Sequence, residues 1–117
     1  MYANLEHGYQ NIHRKSSSGM GQPELLLEGN ANSLQNWPND LSPDGKSLLY
    51  SVGDLVGAAQ LWELPLTGSD RKPRQILPSN FMMMEARFSP DGRWIARVSN
   101  ESGHMEVYVI NVGRYWR

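Results

Sequence analysis

The chain has 117 residues, with Lys plus Arg 11 and Asp plus Glu 12, for a formal net charge of −1. This is one ordinary domain's worth of near-neutral chain, which excludes a strongly basic nucleic-acid footprint and an acidic solvating tail. There is no Cys, so disulfides, thiolate metal sites and thiol catalysis are excluded as well.

Residues 1–8 lack a charged stretch followed by an apolar one and do not form a secretory signal; they read as an N-terminal tail. Nothing approaches the roughly 20 apolar residues of a transmembrane helix, so no membrane insertion is expected. The chain is expected to be cytoplasmic, or a piece of a longer protein whose signal lies elsewhere, and the compartment stays open.

Residues 9–33 read as two strands, Asn11 to Lys15 and Pro23 to Leu27, joined by a Ser/Gly-rich turn at Ser16 to Gly21. Residues 34–80 read as four. An extended run from Gln35 to Leu41 meets Ser42-Pro43-Asp44-Gly45, which has turn chemistry at every position. Proline pre-sets φ, aspartate caps its own backbone, and glycine accepts positive φ. Lys46 to Val52 follows as a strand, then a loose turn from Gly53 to Gly57, then Gln60 to Leu66. The polar loop Thr67 to Pro73 leads to a fourth strand, Arg74 to Leu77. Residues 81–112 read as three strands: Met82 to Phe88, Arg93 to Val98 and Met105 to Ile110. The turns between them are Ser89-Pro90-Asp91-Gly92 and Ser99 to Gly103, and residues 113–117 read as a C-terminal tail. That makes nine strands, and no stretch carries helical periodicity.

The units repeat. Ser42-Pro43-Asp44-Gly45 recurs as Ser89-Pro90-Asp91-Gly92, 47 positions on. Leu41 falls on Phe88, Leu48 on Ile95, and Leu61-Trp62-Glu63-Leu64 on Val107-Tyr108-Val109-Ile110; His13 falls on Trp62 and Tyr108. Four-stranded units of roughly 40–45 residues are the size of a β-propeller blade. Leu41 to Lys46 and Phe88 to Ala96 resemble the SPDG signature of the TolB-like, WD-repeat-like bacterial propeller family, over about residues 9 to 110. The resemblance implies an all-β fold of antiparallel four-stranded meanders: a half blade at 9–33, a full blade at 34–80 and a partial blade at 81–112. It also implies a binding or scaffolding role, with any chemistry in another domain. The alternatives are a propeller fragment of a prolyl-oligopeptidase-type peptidase and a truncated gene product without retained function. Arg97 departs from the pattern, standing where Tyr50 gives the preceding unit an aromatic.

Propellers close with about four to eight blades, so this chain is incomplete or not alone. Expected partners are a protein ligand or the rest of a larger propeller. One expected assembly is a homotrimer making six blades, with Pro23 to Leu27 of one copy completing the last blade of the next.

Asp44 and Asp91 read as turn residues rather than metal ligands or catalytic acids. No G-x-S-x-G elbow is present, and His7, His13 and His104 show no zinc spacing, so no catalytic residue, metal or cofactor is expected. Asp70-Arg71-Lys72-Pro73-Arg74 reads as a solvated loop rather than a nucleic-acid contact, and the Asn100-Glu101-Ser102 sequon as accidental. Met82-Met83-Met84 reads as core at the start of an innermost strand. Innermost strands line a propeller's channel. The candidate binding residues at its mouth are therefore Trp37, Asn39 and Asp40 from one unit and Met84, Glu85 and Arg87 from the next. Asp40 and Arg87, equivalent in position and opposite in charge, are either a recognition pair or two solvated strand ends.

Overall fold

A computed structural model describes residues 2–6, 9–15, 22, 24–28, 35–53, 59–68, 71–76 and 82–114. These form three antiparallel sheets, each a simple meander. The first holds β1 (Tyr2–Glu6), β2 (Tyr9–Arg14) and β3 (Glu24–Leu27). The second holds β4 (Gln35–Leu41), β5 (Ser47–Gly53), β6 (Ala59–Pro65) and β7 (Arg74–Gln75). The third holds β8 (Met83–Phe88), β9 (Trp94–Ser99) and β10 (Glu106–Asn111), followed by a 3₁₀ turn at Val112–Arg114. Among the described residues no helix is long and apolar enough to cross a membrane.

The structure differs from the sequence reading at the N-terminus. Residues 1–8, expected as a tail, include β1, which pairs with β2 from Tyr2↔His13 to Glu6↔Tyr9. The first sheet thus has three strands, and the sheets run three, four, three.

The two Ser-Pro-Asp-Gly turns share one hydrogen-bond scheme. The Ser42 hydroxyl donates to Asp44 Oδ1 at 2.6 Å and accepts from the Ser47 amide at 3.0 Å. The Lys46 N–H donates to Asp44 Oδ1 at 3.0 Å. In the second copy Ser89, Asp91, Arg93 and Trp94 make the same contacts. Gly45 and Gly92 close the turns at φ of 75° and 74°, which a side chain adopts only under strain. The Ser42 hydroxyl, then the Lys46 amide, hold the Asp44 carboxyl below its ordinary range; Ser89 and Arg93 do the same for Asp91.

The core lies in two layers between the sheets. Ile12, Leu48, Tyr50, Leu64 and Leu66 form one, against Leu26, Leu27 and Trp62. Leu49, Leu61, Ile76, Met83, Ala86 and Ile95 form the other, against Phe88, Ile110 and Val112. The middle sheet is therefore covered on both faces, and β5 reads as a nearly continuous apolar run for that reason. Alternate residues serve opposite layers: Leu48 and Tyr50 one, Leu49 the other. Burial pushes the Tyr50 hydroxyl above its usual pKa. Arg97, at the position of Tyr50, is also buried; it reaches Glu101 at 3.1 Å and lies over the Tyr108 ring at 5.4 Å. A cation stacked on an aromatic face fills the place of an aromatic side chain.

Candidate functional site

Two bulges at equivalent positions shape one end of the sheet stack. In β4 the ladder with β5 passes from Pro38↔Tyr50 to Asp40↔Leu49, leaving Asn39 extra. In β8 the ladder with β9 passes from Met84↔Val98 to Arg87↔Ala96, leaving one residue extra between them. Proline at position 38 has no N–H to give to a ladder, so an irregularity there costs little. In β8 the equivalent residue is Glu85, whose φ is 53°. A non-glycine residue in the left-handed region stores strain of order 1–3 kcal/mol and marks sites where a side chain is re-aimed.

The bulges bring together residues far apart in sequence. Trp37, Asn39, Ser51, Ala59, Met84 and Glu85 line one concavity of about 270 Å³. Trp37 keeps 40% of its surface exposed, and Glu85 is exposed beside it. The Asn39 side-chain amide donates to Ser51 Oγ at 2.8 Å, which fixes the floor. Four of the six residues expected at the mouth therefore share this concavity. The other two, Asp40 and Arg87, sit behind it and clasp the two sheets together. Arg87 Nη1 donates to the Asn39 carbonyl at 2.5 Å, and the Phe88 amide donates to Asp40 Oδ2 at 2.9 Å. Each of the opposite charges thus binds the backbone of the other's strand.

Ser51 and Ala59 are lining residues that the sequence reading does not single out. Ser51 lies directly opposite Trp37 in the ladder. The available signal was a small polar residue interrupting the apolar run Leu48-Leu49-Tyr50. Of the methionine run, Met83 is core and Met84 lines the concavity. The Asn100 side chain of the sequon accepts from the Met82 amide at 2.9 Å. In the basic loop Arg71 reaches Glu24 at 3.7 Å and Arg74 reaches Glu63 at 2.8 Å. Residues 115–117, the aromatic end of the chain, lie outside the described residues. Among the described residues no three acidic or His side chains gather in a way that could hold a metal ion.

Three sheets stacked through buried faces, the second and third each entered by a bulged strand, are an architecture shared with known structures. The chain superposes on a TolB-type protein from Agrobacterium tumefaciens with a TM-score of 0.76 and 25% identity, over 95% of this chain and 38% of that one. It superposes on TolB from Acinetobacter baumannii with a TM-score of 0.70 and 25% identity, over 97% of this chain and 27% of that one. The fold is that of part of a β-propeller. Each sheet is a blade, and the chain spans well under half the length of either structure. In sequence it is 33% identical over 94 residues to a segment of the protein hir1 of Aspergillus terreus, covering 73% of this chain and 9% of that one. No family model matches the chain.

The blades fix strand identities. The first blade supplies the second, third and fourth strands of the unit, and the last supplies the first, second and third. In the expected six-bladed ring Pro23 to Leu27 crosses to a neighbouring copy. In the structure β3 instead pairs with β2 of its own chain, through Ile12↔Leu27 and His13↔Leu25, and Glu24 is held by Arg14 at 2.6 Å. Those bonds would have to break before β3 could complete another copy's blade.

Proposed function

We propose that the chain is a non-enzymatic, protein-binding or scaffolding segment of a β-propeller that engages its partner at the mouth formed by Trp37, Asn39, Met84 and Glu85. The observation that carries this reading is the recurrence of the bulge in consecutive blades. It aims an exposed aromatic, a flexible thioether and a strained acidic residue into one concavity, and such a mixture suits a protein surface. The likeness to TolB propellers supports a propeller module. Asp40 and Arg87 hold the two lips at fixed separation, so the concavity is pre-formed rather than assembled on binding.

A photo-crosslinking residue placed at Met84, with a control at exposed Lys15, tests the reading in the native host. The expected result is a covalent protein adduct at position 84 that disappears in the Trp37→Ala background and is absent at position 15. Equal adducts at both positions, or none at 84, overturn it.

A further inference from the structure

Trp37, Asn39, Ser51, Ala59, Met84 and Glu85 line the concavity between the middle and last blades. Its described walls thus come from two blades that already meet through Leu49, Leu61, Met83, Ala86 and Ile95. In a closed propeller a following blade packs on the opposite face of the last one, where Val107 and Val109 are exposed. Ring closure therefore covers that face and does not fill this concavity. At about 270 Å³ it is smaller than the roughly 300–1,000 Å³ of pockets that hold drug-sized ligands, and it suits a single long side chain.

The lining specifies which side chain. Of the six residues Glu85 alone is ionisable. Ion pairs among the described residues reach Glu24, Glu63 and Glu101, and none reaches Glu85. Arg87, two residues on, spends Nη1 on the carbonyls of Asn39 and Ala86. The left-handed φ of 53° at Glu85 is a cost that a merely solvated carboxylate does not require, and such outliers gather at ligand clamps. The half-exposed Trp37 ring in the same lining can receive a cation on its face. Asn39 commits its amide to Ser51 Oγ, so that donor is not offered to an anion. A purely apolar side chain fits the walls of Trp37, Ala59 and Met84 but desolvates the Glu85 carboxylate without giving it a partner, which is costly.

We infer that the concavity recognises an arginine side chain of a partner polypeptide. The guanidinium stacks on Trp37 and donates to the Glu85 carboxylate, while its aliphatic stem lies along Ala59 and Met84. Arginine suits the site better than lysine because its guanidinium is planar, weakly hydrated and forked, which matches an aromatic face and a carboxylate at once. The inference rests on the protein-binding reading above and names the group that the partner presents.

The test uses the whole chain, isotope-labelled, with the end-blocked tripeptides Gly-Arg-Gly, Gly-Lys-Gly and Gly-Gln-Gly as probes. The Trp37 indole resonance, identified by its loss in Trp37→Phe, is expected to shift saturably with the arginine peptide. The lysine peptide binds roughly two- to fivefold more weakly, and the glutamine peptide leaves the resonance in place. Glu85→Gln weakens the arginine peptide roughly three- to tenfold. Glu85→Gly, which suits a left-handed φ, raises the urea midpoint and yet weakens binding as much. A merely structural role for Glu85 does not produce that split. Arginine and glutamine peptides of equal affinity, lysine as tight as arginine, no shift at Trp37, or binding unchanged in both Glu85 variants overturns the inference. If the arginine peptide fails while the adduct at position 84 forms in the host, this inference falls and the binding mouth stands; failure of both removes both.

Discussion

The middle and last blades are built from nearly the same positions and meet opposite surroundings. Leu49, Leu61 and Glu63 of the middle blade are buried, the two leucines in the cluster shared with the third sheet. Their counterparts Ala96, Val107 and Val109 form the outer face of the last blade, where the two valines are exposed. The first blade sides with the middle one, since Ile12, the counterpart of Leu61, is fully buried. Position in the repeat therefore fixes which way a side chain points, while position in the stack decides whether anything covers it. The valines keep an apolar character although no described residue covers them. One pair does change: Glu63 is buried where Arg74 of β7 reaches it at 2.8 Å, and its counterpart on β10 is the exposed Val109.

Mutations at matched positions sharpen this contrast. Leu61→Ala removes a fully buried side chain and is expected to cost about 2–5 kcal/mol in denaturant unfolding. Val107→Ala, at the same repeat position, is expected to stay within about 0.5 kcal/mol. Equal costs at the two sites break the comparison.

Arg74→Ala comes next. It leaves the Glu63 carboxylate buried without its cation, and because Arg74 is itself half exposed the cost is about 1–3 kcal/mol at neutral pH. The sign with pH follows from burial. Glu63 is held above its ordinary pKa, so its charge opposes folding above the folded-state value and this penalty fades as pH falls toward the unfolded value. Urea melts of the variant are therefore expected to show a smaller deficit near pH 4.5 than near pH 8. Glu63→Gln in the Arg74→Ala background restores most of the loss at neutral pH. A deficit independent of pH contradicts the assignment.

Gly45→Ala and Gly92→Ala are matched tests in the two turns. At Gly45 nothing lies within 4 Å of where a Cβ would stand, and at Gly92 only Pro43 does, at 3.7 Å. The cost is therefore backbone strain alone, about 1–2 kcal/mol at either site. A markedly larger loss at one turn shows that the two are not equivalent.

The smallest expected effect is acid-side. Asp44 and Asp91 are held below their ordinary pKa, so their contribution is present above about pH 4 and lost as pH falls through the folded-state values. The Asp44→Asn, Asp91→Asn double variant is expected to flatten the stability curve between about pH 4 and 2. An unchanged acid limb contradicts it.

Much of this architecture is legible in the sequence because the turns announce it. Two Ser-Pro-Asp-Gly copies set strand boundaries on both sides, and the matched apolar positions set which faces meet. β1 was not legible. Tyr2-Ala3-Asn4-Leu5-Glu6 lacks an alternating apolar pattern, and its strand state comes from pairing with β2 rather than from propensity. The mouth was partly legible. Trp37 and Met84 follow from their place on innermost strands, but Ser51 and Ala59 enter through cross-strand register. The bulges at Asn39 and Glu85 carry no signal beyond the proline at 38. The roles of Asp40 and Arg87 were not legible either, because both partners are backbone groups of another blade.

Native-state hydrogen exchange tests the contrast between the covered and the open blade most directly. The amides of Leu61 and Glu63, facing β7, are expected to exchange at the slow rate of the core strands. Those of Val107 and Val109, on the edge of β10 that no described strand pairs, are expected to exchange orders of magnitude faster while the amides of β9 remain slow. Equal protection at Val107, Val109, Leu61 and Glu63 in the isolated chain would contradict the account.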